Sequence, residues 1–281
     1  MPLPSDVADR LRAAKGFVLD LDGTLVLGDS RNKQIRPLPG ALEFIAHLNE
    51  RGVPFAIMTN GTVRPPRDYV EELAHAGIAV DEQRMLTPSS VAADYLSAKK
   101  LNRVMAMGGK GVGGPLADVG LKVSEPLARE AVDAIFVGWF REFTLDHIEA
   151  ACEAVWQGAK VFSASLAPFF ATSAGRTLGT SCAIVGAISN ITGCKATILG
   201  KPSPEALKSA SRRLGIPARD LAVIGDDPTL EPAMARRGGA FAVGVTTGIA
   251  KSADFLAAPE KVRADVVAEN IGEFLDIYSA L

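Results

Sequence analysis

The sequence predicts an α/β protein built from parallel β-sheets with helices on their faces. Short apolar runs recur from one end of the chain to the other, and stretches with helical periodicity separate them. Strands that alternate with helices in this way form parallel sheets joined by right-handed crossovers. The length of 281 residues favours two domains, although no linker rich in Pro, Gly or Ser marks a boundary.

Each element is predicted from its own pattern. Residues 16–21 form a short run that is apolar on both faces, which is typical of a buried strand. Residues 40–52 form a helix, because Phe44, Ile45 and Leu48 share one face. Strands and helices are predicted in the same way along the rest of the chain. These elements are strand 53–58, helix 66–77, strand 103–107, strand 133–137, helix 144–158, strand 160–162, helix 181–193, helix 204–215, strand 221–224, helix 229–238 and strand 241–243.

The composition is that of a globular protein. Apolar residues make up 48% and charged residues 22%, and the net charge of −2 gives no reason to expect nucleic acid or an anionic membrane as partner. No segment is typical of a signal peptide or of a membrane span, so we expect a cytoplasmic protein. Cys152, Cys182 and Cys194 form no pattern and are expected to be free thiols. The oligomeric state is open, with a homodimer as one alternative.

A pair of acids follows the first predicted strand. Asp20 and Asp22 stand at its carboxyl end, where ligand sites form in open α/β sheets. Residues two apart on extended chain share a face, so the two carboxylates can converge, and Gly23 permits a sharp turn directly after them. The apolar run before the pair argues against an ordinary solvated loop, because buried carboxylates are costly unless a cation or partner neutralises them.

A second acid pair, Asp226 and Asp227, follows the predicted strand 221–224 in the same way. Two acid pairs at the carboxyl ends of two apolar strands form an oxygen-rich site that suits a hard cation such as Mg²⁺. Magnesium needs few protein carboxylates and keeps waters and phosphate oxygens as its other ligands. The sequence therefore predicts a Mg²⁺ site at these strand ends.

Two further polar motifs lie between the acid pairs in the sequence. In Thr59-Asn60-Gly61, a hydroxyl and backbone N–H groups at a strand-to-helix turn suit a phosphate oxygen, although this tripeptide is also a common turn. Lys201 stands between a glycine and a proline at a predicted helix start, which would fix its backbone. On local sequence alone, an exposed lysine is an equal alternative.

Together these motifs resemble those of a known superfamily. The ordered set Asp20/Asp22, Thr59, Lys201 and Asp226/Asp227 resembles the four motifs of the haloacid dehalogenase (HAD) superfamily. Six short segments further resemble its class IIA branch, which contains NagD-like and p-nitrophenylphosphatase-like phosphatases. These segments are Leu27-Gly28-Asp29, Pro39-Gly40-Ala41, Thr59-Asn60-Gly61, Phe136-Val137-Gly138, Gly186-Ala187-Ile188 and Gly200-Lys201-Pro202-Ser203. The resemblance covers nearly the whole chain. It implies a Rossmann-like core formed by 1–84 and 196–281, with a C2-type cap domain inserted at 85–195.

The resemblance also implies a reaction, namely Mg²⁺-dependent hydrolysis of a small phosphorylated metabolite through an aspartyl-phosphate. Asp20 would be the nucleophile and Asp22 the general acid and base. Lys201 would stabilise the nucleophile and the phosphoryl oxygens. Thr59, with the backbone amides of Asp22 and Asn60 and with Gly61, would hold the phosphate.

The metal ligands follow from the same resemblance. Mg²⁺ would be held by Asp20, the backbone carbonyl of Asp22 and Asp226, with Asp227 assisting directly or through water. The branch commonly has another Asp a few residues beyond the second acid pair. Here Glu231 stands near that place, and we expect it to support the metal ligands from behind.

Substrate specificity is expected to depend on the segment 163–170, which follows the predicted strand 160–162 in the cap. The segment is unusually apolar for a loop, and relatives carry polar residues at this place. We therefore expect Phe169 and Phe170 to contact the substrate, with packing inside the cap as the alternative. The matching acid of relatives is absent, so their substrates do not transfer to this chain.

Other functions are weighed against phosphate hydrolysis. The same aspartyl chemistry serves dehalogenation and phosphotransfer, but dehalogenases need neither Asp22 nor the metal site. A non-catalytic sugar-phosphate-binding protein of this fold would be expected to lack Asp20 or Asp226, and both are present. The run 109–114 fits the GxGxxG of dinucleotide-binding folds, but 115–120 is too short for the helix that must follow. We expect a flexible cap loop there instead.

Overall fold

A computed structural model of the chain describes residues 3–28, 35–172, 175–248 and 250–281. These residues form fifteen strands and eleven α-helices. The strands are β1 (Gly16–Asp20), β2 (Val26–Gly28), β3 (Ile35–Pro37), β4 (Phe55–Met58), β5 (Met85–Leu86), β6 (Arg103–Met107), β7 (Lys122–Ser124), β8 (Ala134–Val137), β9 (Lys160–Ser163), β10 (Phe169–Thr172), β11 (Gly175–Leu178), β12 (Thr197–Ile198), β13 (Leu221–Gly225), β14 (Phe241–Val245) and β15 (Val266–Ala268). The helices are α1 (Ser5–Arg12), α2 (Ala41–Glu50), α3 (Pro66–His75), α4 (Pro88–Ala98), α5 (Lys110–Asp118), α6 (Leu145–Trp156), α7 (Thr180–Thr192), α8 (Pro204–Leu214), α9 (Glu231–Gly238), α10 (Ser252–Ala257) and α11 (Ile271–Ser279).

The described residues divide into two compact units. The first comprises those of Met1–Thr59, Val70–Leu86 and Ala206–Leu281. Its sheet has six parallel strands in the order β15-β14-β13-β1-β4-β5. All residues of the central strands β1 and β13 are buried, which explains why these runs are apolar on both faces.

Aromatic packing fixes helices α2 and α11 against the central strand. The Phe17 ring on β1 meets Phe44 of α2 edge-on, with ring centroids 5.3 Å apart. It meets Tyr278 of α11 at the same centroid separation and near-perpendicular angle. Such edge-to-face pairs add to the free energy gained from burial, so the base of the sheet below the candidate site is firmly packed.

The second unit comprises Asn60–Tyr69 and the described residues of Thr87–Glu205. It has its own parallel sheet, of five strands in the order β12-β9-β8-β6-β7. Its core includes Met105, Ile135 and Val161 from the sheet and Ile148 and Ile184 from helices α6 and α7. Among the described residues, no helix is long and apolar enough to serve as a membrane span.

The predicted fold class is confirmed, because both sheets are parallel and helices separate their strands. Every predicted strand and helix is present, with ends shifted by a few residues. The sequence pattern did not predict helices α1, α4, α10 and α11, strands β5, β7, β12 and β15, or the antiparallel hairpins β2–β3 and β10–β11. The hairpin strands are three or four residues long, too short to show a clear period.

The prediction of a flexible loop at 109–114 is wrong, because helix α5 begins at Lys110. Val112 and Leu116 of α5 are fully buried. A Cβ on Gly111 would lie 2.4 Å from the carbonyl oxygen of Thr62, so only glycine allows the helix to approach that segment so closely. Burial of the apolar residues thus outweighs the low helix propensity of the glycines.

The predicted loop 163–170 is also partly wrong. Ser163 ends β9, and Phe169 and Phe170 belong to strand β10. Phe169 pairs with Leu178 across the β10–β11 hairpin. The apolar pattern was correctly recognised, but a strand of four residues gave no signal distinct from an apolar loop.

Candidate active site

Two buried carboxylates lie at the ends of neighbouring strands in the first unit. Asp20 is the last residue of β1, and Asp226 directly follows β13. The strands are parallel and in register, with Leu19 opposite Ile224, so both acids reach the carboxyl edge of the sheet. Each acid is only 4% exposed. Ligand sites of open α/β sheets form outside this edge.

A tight turn after Asp20 orients the first acid pair. The Leu21 carbonyl accepts hydrogen bonds from the N–H groups of Leu25 and Val26, both at 3.0 Å. Thr24, fully buried in this turn, donates its hydroxyl to Oδ2 of Asp20 at 2.8 Å. The turn therefore fixes the Asp20 carboxylate and leaves the Asp22 side chain exposed.

Thr59 connects the next strand to this pair. It follows β4, the neighbour of β1 on the other side, and it is buried. Its hydroxyl donates to Oδ2 of Asp22 at 2.9 Å. Three of the predicted motifs thus meet at one edge of the sheet, in Asp20/Asp22, Thr59 and Asp226.

Two glycines close around the Asp226 carboxylate. A Cβ on Gly23 would lie 2.5 Å from Oδ2 of Asp226, and a Cβ on Gly248 would lie 1.8 Å from the same atom. Gly23 also has a φ of +85°, which disfavours any other residue. Thr247 donates its hydroxyl to the carbonyl oxygen of Gly23 at 2.6 Å and so ties the two glycine segments together.

Asp227 lies in the loop after β13, and Glu231 is the first residue of helix α9 that follows this loop. Oδ1 of Asp227 accepts hydrogen bonds from the N–H and the hydroxyl of Thr229, at 2.8 and 2.7 Å. Glu231 is 1% exposed, and its Oε2 accepts the N–H of Asp227 at 3.3 Å. A Cβ on Gly225 would lie 2.1 Å from Cγ of Glu231, so this glycine makes room for the buried acid.

The donor set fits a hard cation. Asp20 and Asp226 supply buried carboxylate oxygens at the same edge of the sheet. Within the described ranges, no group of three or more His, Cys, Asp or Glu side chains is placed to hold a metal ion. A site with two carboxylates suits Mg²⁺, which binds through few protein carboxylates.

The remaining predicted residues lie in the second unit. Asn60 and Lys201 contact each other: Nδ2 of Asn60 donates to the carbonyl oxygen of Lys201 at 3.1 Å, and the N–H of Lys201 donates to Oδ1 of Asn60 at 2.8 Å. Lys201 is 4% exposed, so the alternative of an exposed lysine is wrong. Gly61 is partly buried in the loop after Asn60.

The predicted specificity residues lie in strand β10 of that unit. Phe169 is 46% exposed. The side chain of Phe170 lies outside the part of the chain that the structure describes, as does Asp29 of the Leu27-Gly28-Asp29 feature. Ser181 donates its hydroxyl to the carbonyl oxygen of Ser165 at 2.8 Å, which fixes the segment before the hairpin.

Sequence reasoning assigned no role to Thr24, Thr247 or Gly248. A partial signal existed for the last two, because Thr246, Thr247 and Gly248 follow strand β14 just as the acid pairs follow their strands. Thr24 stands four residues after Asp20, and nothing in the sequence shows that its hydroxyl turns back toward that carboxylate.

The chain is similar to families and proteins of known function. Residues 17–122 match the family model of haloacid dehalogenase-like hydrolases, and residues 198–274 match a second model described as HAD-hydrolase-like. The acid sugar phosphatase of Staphylococcus aureus is 28% identical over 217 residues, which are 77% of this chain and 80% of that protein.

Solved structures show the same similarity over nearly the full length. The 4-nitrophenylphosphatase of Thermotoga maritima aligns with a TM-score of 0.84 and 26% identity, covering 95% of this chain and 98% of that one. The p-nitrophenyl phosphatase of Archaeoglobus fulgidus aligns with a TM-score of 0.83 and 26% identity, covering 95% and 99%. With two family models and these relatives in agreement, the chain belongs to the haloacid dehalogenase-like hydrolases, in the class IIA branch that contains the NagD-like and p-nitrophenylphosphatase-like enzymes.

Proposed function

We propose that this HAD-type phosphatase hydrolyses a small phosphorylated metabolite through an aspartyl-phosphate on Asp20. The observation that carries the proposal is the pair of buried carboxylates, Asp20 and Asp226, at the ends of adjacent parallel strands. Two acids kept out of water at one sheet edge are costly unless a cation neutralises them. A phosphate ester that binds together with a metal ion would bring such a cation.

In the proposed reaction, a carboxylate oxygen of Asp20 attacks phosphorus and the ester oxygen leaves. Asp22 gives its proton to the leaving oxygen, so an alcohol departs. Asp22 then takes a proton from a water molecule, whose oxygen attacks the phosphorus and releases Asp20 and inorganic phosphate. The Thr24 hydroxyl holds Asp20 in the attacking orientation.

We propose Mg²⁺ as the cofactor. The carboxylates of Asp20 and Asp226 and the backbone carbonyl of Asp22 would hold it, with Asp227 acting directly or through water. When bound, the ion offsets the repulsion between a carboxylate nucleophile and a phosphate dianion. Glu231 accepts the Asp227 N–H, and it would support the metal ligands from behind.

The phosphate ligands are proposed from the family motifs. The Thr59 hydroxyl, which donates to Asp22 in the structure, would turn its one proton to a phosphoryl oxygen, and the backbone N–H groups at Asp22, Asn60 and Gly61 would bind the other oxygens. Lys201 would balance the negative charge on Asp20 and the phosphate. Its burial supports this role, because a buried ammonium needs negative partners to remain charged.

The test is turnover by the purified protein with Mg²⁺, first on p-nitrophenyl phosphate and then on a panel of phosphorylated metabolites that includes sugar phosphates. Asp20→Asn should lower turnover by several orders of magnitude while leaving the fold intact, because an amide cannot form the acyl phosphate. Asp118→Asn, which changes an exposed acid on α5, should leave turnover unchanged.

Near-normal turnover by Asp20→Asn would assign the nucleophile elsewhere. No turnover by the wild-type protein on any ester, together with tight binding of one of them, would favour a non-catalytic binding protein.

A further inference from the structure

The side chain of Asn60 is paired with the backbone of Lys201. Its amide donates from Nδ2 to the Lys201 carbonyl and accepts at Oδ1 from the Lys201 N–H, at 3.1 and 2.8 Å. A single side chain thus satisfies both backbone polar groups of one residue. This requires a donor and an acceptor on the same side chain, which an amide has and an ionised carboxylate has not.

The surrounding chain is shaped for this contact. A Cβ on Gly200 would lie 2.6 Å from Oδ1 of Asn60 and 2.3 Å from the carbonyl oxygen of Ala164, so the glycine lets both approach. The N–H of Gly200 donates to that Ala164 carbonyl at 3.1 Å, just beyond the end of β9. The backbone at Lys201 is therefore held by the sheet just before it and by Asn60 at the residue itself.

Fixing this backbone matters because of the lysine side chain. A lysine has four carbon atoms between its backbone and its ammonium group, so it can place its charge in many positions unless its base is fixed. The two residues are 141 positions apart in sequence, so no local preference of the chain holds them together. Two directed hydrogen bonds do so.

We propose that Asn60 is a positioning residue, whose side chain orients Lys201 rather than binding the phosphate itself. This inference rests on the proposed function, in which Lys201 balances the charge of the phosphoryl group. It assigns the Asn60 side chain a task separate from that of its backbone N–H. Its effect on the reaction should therefore pass through Lys201 and vanish when the lysine is absent.

A double-mutant cycle tests the inference with four proteins: wild type, Asn60→Ala, Lys201→Ala and the double variant. Two quantities are measured, namely kcat/KM with p-nitrophenyl phosphate and the affinity for inorganic phosphate by calorimetry. Asn60→Ala alone should lower both by roughly 10- to 100-fold, because a small displacement of a charged group is costly at a reacting centre. In the Lys201→Ala protein, the same change should have less than a twofold effect.

Two further variants separate positioning from simple structural support. Asn60→Asp keeps an acceptor for the Lys201 N–H but places a carboxylate oxygen against the Lys201 carbonyl, so it should lower both quantities at least as much as Asn60→Ala. It also serves if Asn60→Ala does not fold. Asn49→Ala, an exposed change on α2, should match wild type in both measurements.

Equal losses on changing Asn60 with and without the lysine would overturn the inference, since Asn60 would then act on the phosphate independently. So would an Asn60→Ala protein with wild-type turnover and phosphate affinity. Absence of turnover in the wild-type protein would instead count against the proposed function, and the phosphate-affinity cycle would still decide whether Asn60 acts through Lys201.

Discussion

Thr246 and Thr247 are neighbours in the loop after β14, yet their hydroxyls have different partners. Thr247 donates to the carbonyl oxygen of Gly23 at 2.6 Å, in the turn that carries Asp22. Thr246 donates to the carbonyl oxygen of Glu269 at 3.2 Å, on the far side of the loop. Two residues of the same type therefore provide a matched pair for separating support of the candidate site from support of the loop.

We expect Thr247→Val to lower kcat about tenfold, because the Gly23 turn loses its tie and Asp22 is less well placed. Valine keeps the size of threonine, and a hydrogen bond of this kind contributes only about 1 kcal/mol to stability. Thr246→Val should therefore lower the melting temperature as much as Thr247→Val does, but it should lower kcat less than twofold. The measurements are steady-state kinetics and thermal unfolding of both variants beside Thr247→Ser, which should stay close to wild type.

Equal losses of kcat in the two valine variants would show that the loop as a whole, and not the Thr247 hydroxyl, supports the reaction. Loss of activity in Thr247→Ser equal to that in Thr247→Val would point to packing of the side chain rather than to its hydroxyl.

Site residues that can be predicted from the sequence follow a local pattern, whereas those that cannot make contacts between distant positions in the sequence. Asp20, Asp22, Asp226 and Asp227 were found because each pair follows an apolar run, which is a local pattern. The Thr247 hydroxyl contacts a residue 224 positions away. No local period reports which turn will approach which other turn, so such partners become visible only in the folded structure.

At the scale of elements, the hairpin β10–β11 presents apolar side chains to solvent. Phe169 is 46% exposed, and its cross-strand partner Leu178 is 60% exposed. Neighbouring Leu166 is 37% exposed. Exposed apolar groups that cluster in this way often mark a binding surface. The expectation that this segment contacts the substrate stays a prediction.

If Phe169 contacts the substrate, the preferred ester should carry an apolar or aromatic portion. Phe169→Ala should then raise KM for that ester much more than for p-nitrophenyl phosphate, by an amount worth about 1–3 kcal/mol. Because Phe169 is about half exposed, its removal leaves no large internal cavity, and stability should change little. KM for both substrates and the melting temperature are the measurements.

Leu127→Ala is the control, since Leu127 is 53% exposed in the same unit but lies outside the hairpin. It should leave both KM values unchanged. A uniform rise of KM on both substrates in Phe169→Ala, or a marked fall in its melting temperature, would assign Phe169 to packing.

Helix α5 shows why some elements escape prediction. It contains three glycines, which disfavour a helix in isolation, and Pro115 also lies inside it. The helix forms because its buried residues pack in the second unit, which is tertiary information. By contrast, strand β6 was predicted with its full bounds, because its apolar residues are contiguous and its neighbours polar.

At the scale of the whole molecule, the predicted site residues divide between two units that each have a parallel sheet. Asp20, Asp22, Thr59, Asp226 and Asp227 belong to the first unit. Asn60, Gly61, Lys201, Phe169 and Phe170 belong to the second. The domain boundaries expected from the family, with the core at 1–84 and 196–281 and the cap at 85–195, stay a prediction.

The stability of the first unit should depend on whether a cation is bound. Its buried acids Asp20 and Asp226 lie at neighbouring strand ends, and two carboxylates at such a place repel each other without a cation. An ion that binds the folded state and not the unfolded chain stabilises the fold by mass action. The metal proposed for catalysis should therefore also act on the stability of the protein.

We expect Mg²⁺ to raise the melting temperature of the wild-type protein and chelation to lower it. At a Mg²⁺ concentration one hundred times the dissociation constant, the free energy of unfolding should increase by about 2.7 kcal/mol. Asp226→Asn should lose this increase, because the variant lacks one of the two carboxylates that would hold the ion. Asp118→Asn should keep the full response to Mg²⁺. Calorimetric melting of the three proteins with and without Mg²⁺ measures both effects, and an equal response in Asp226→Asn would place the metal outside these strand ends.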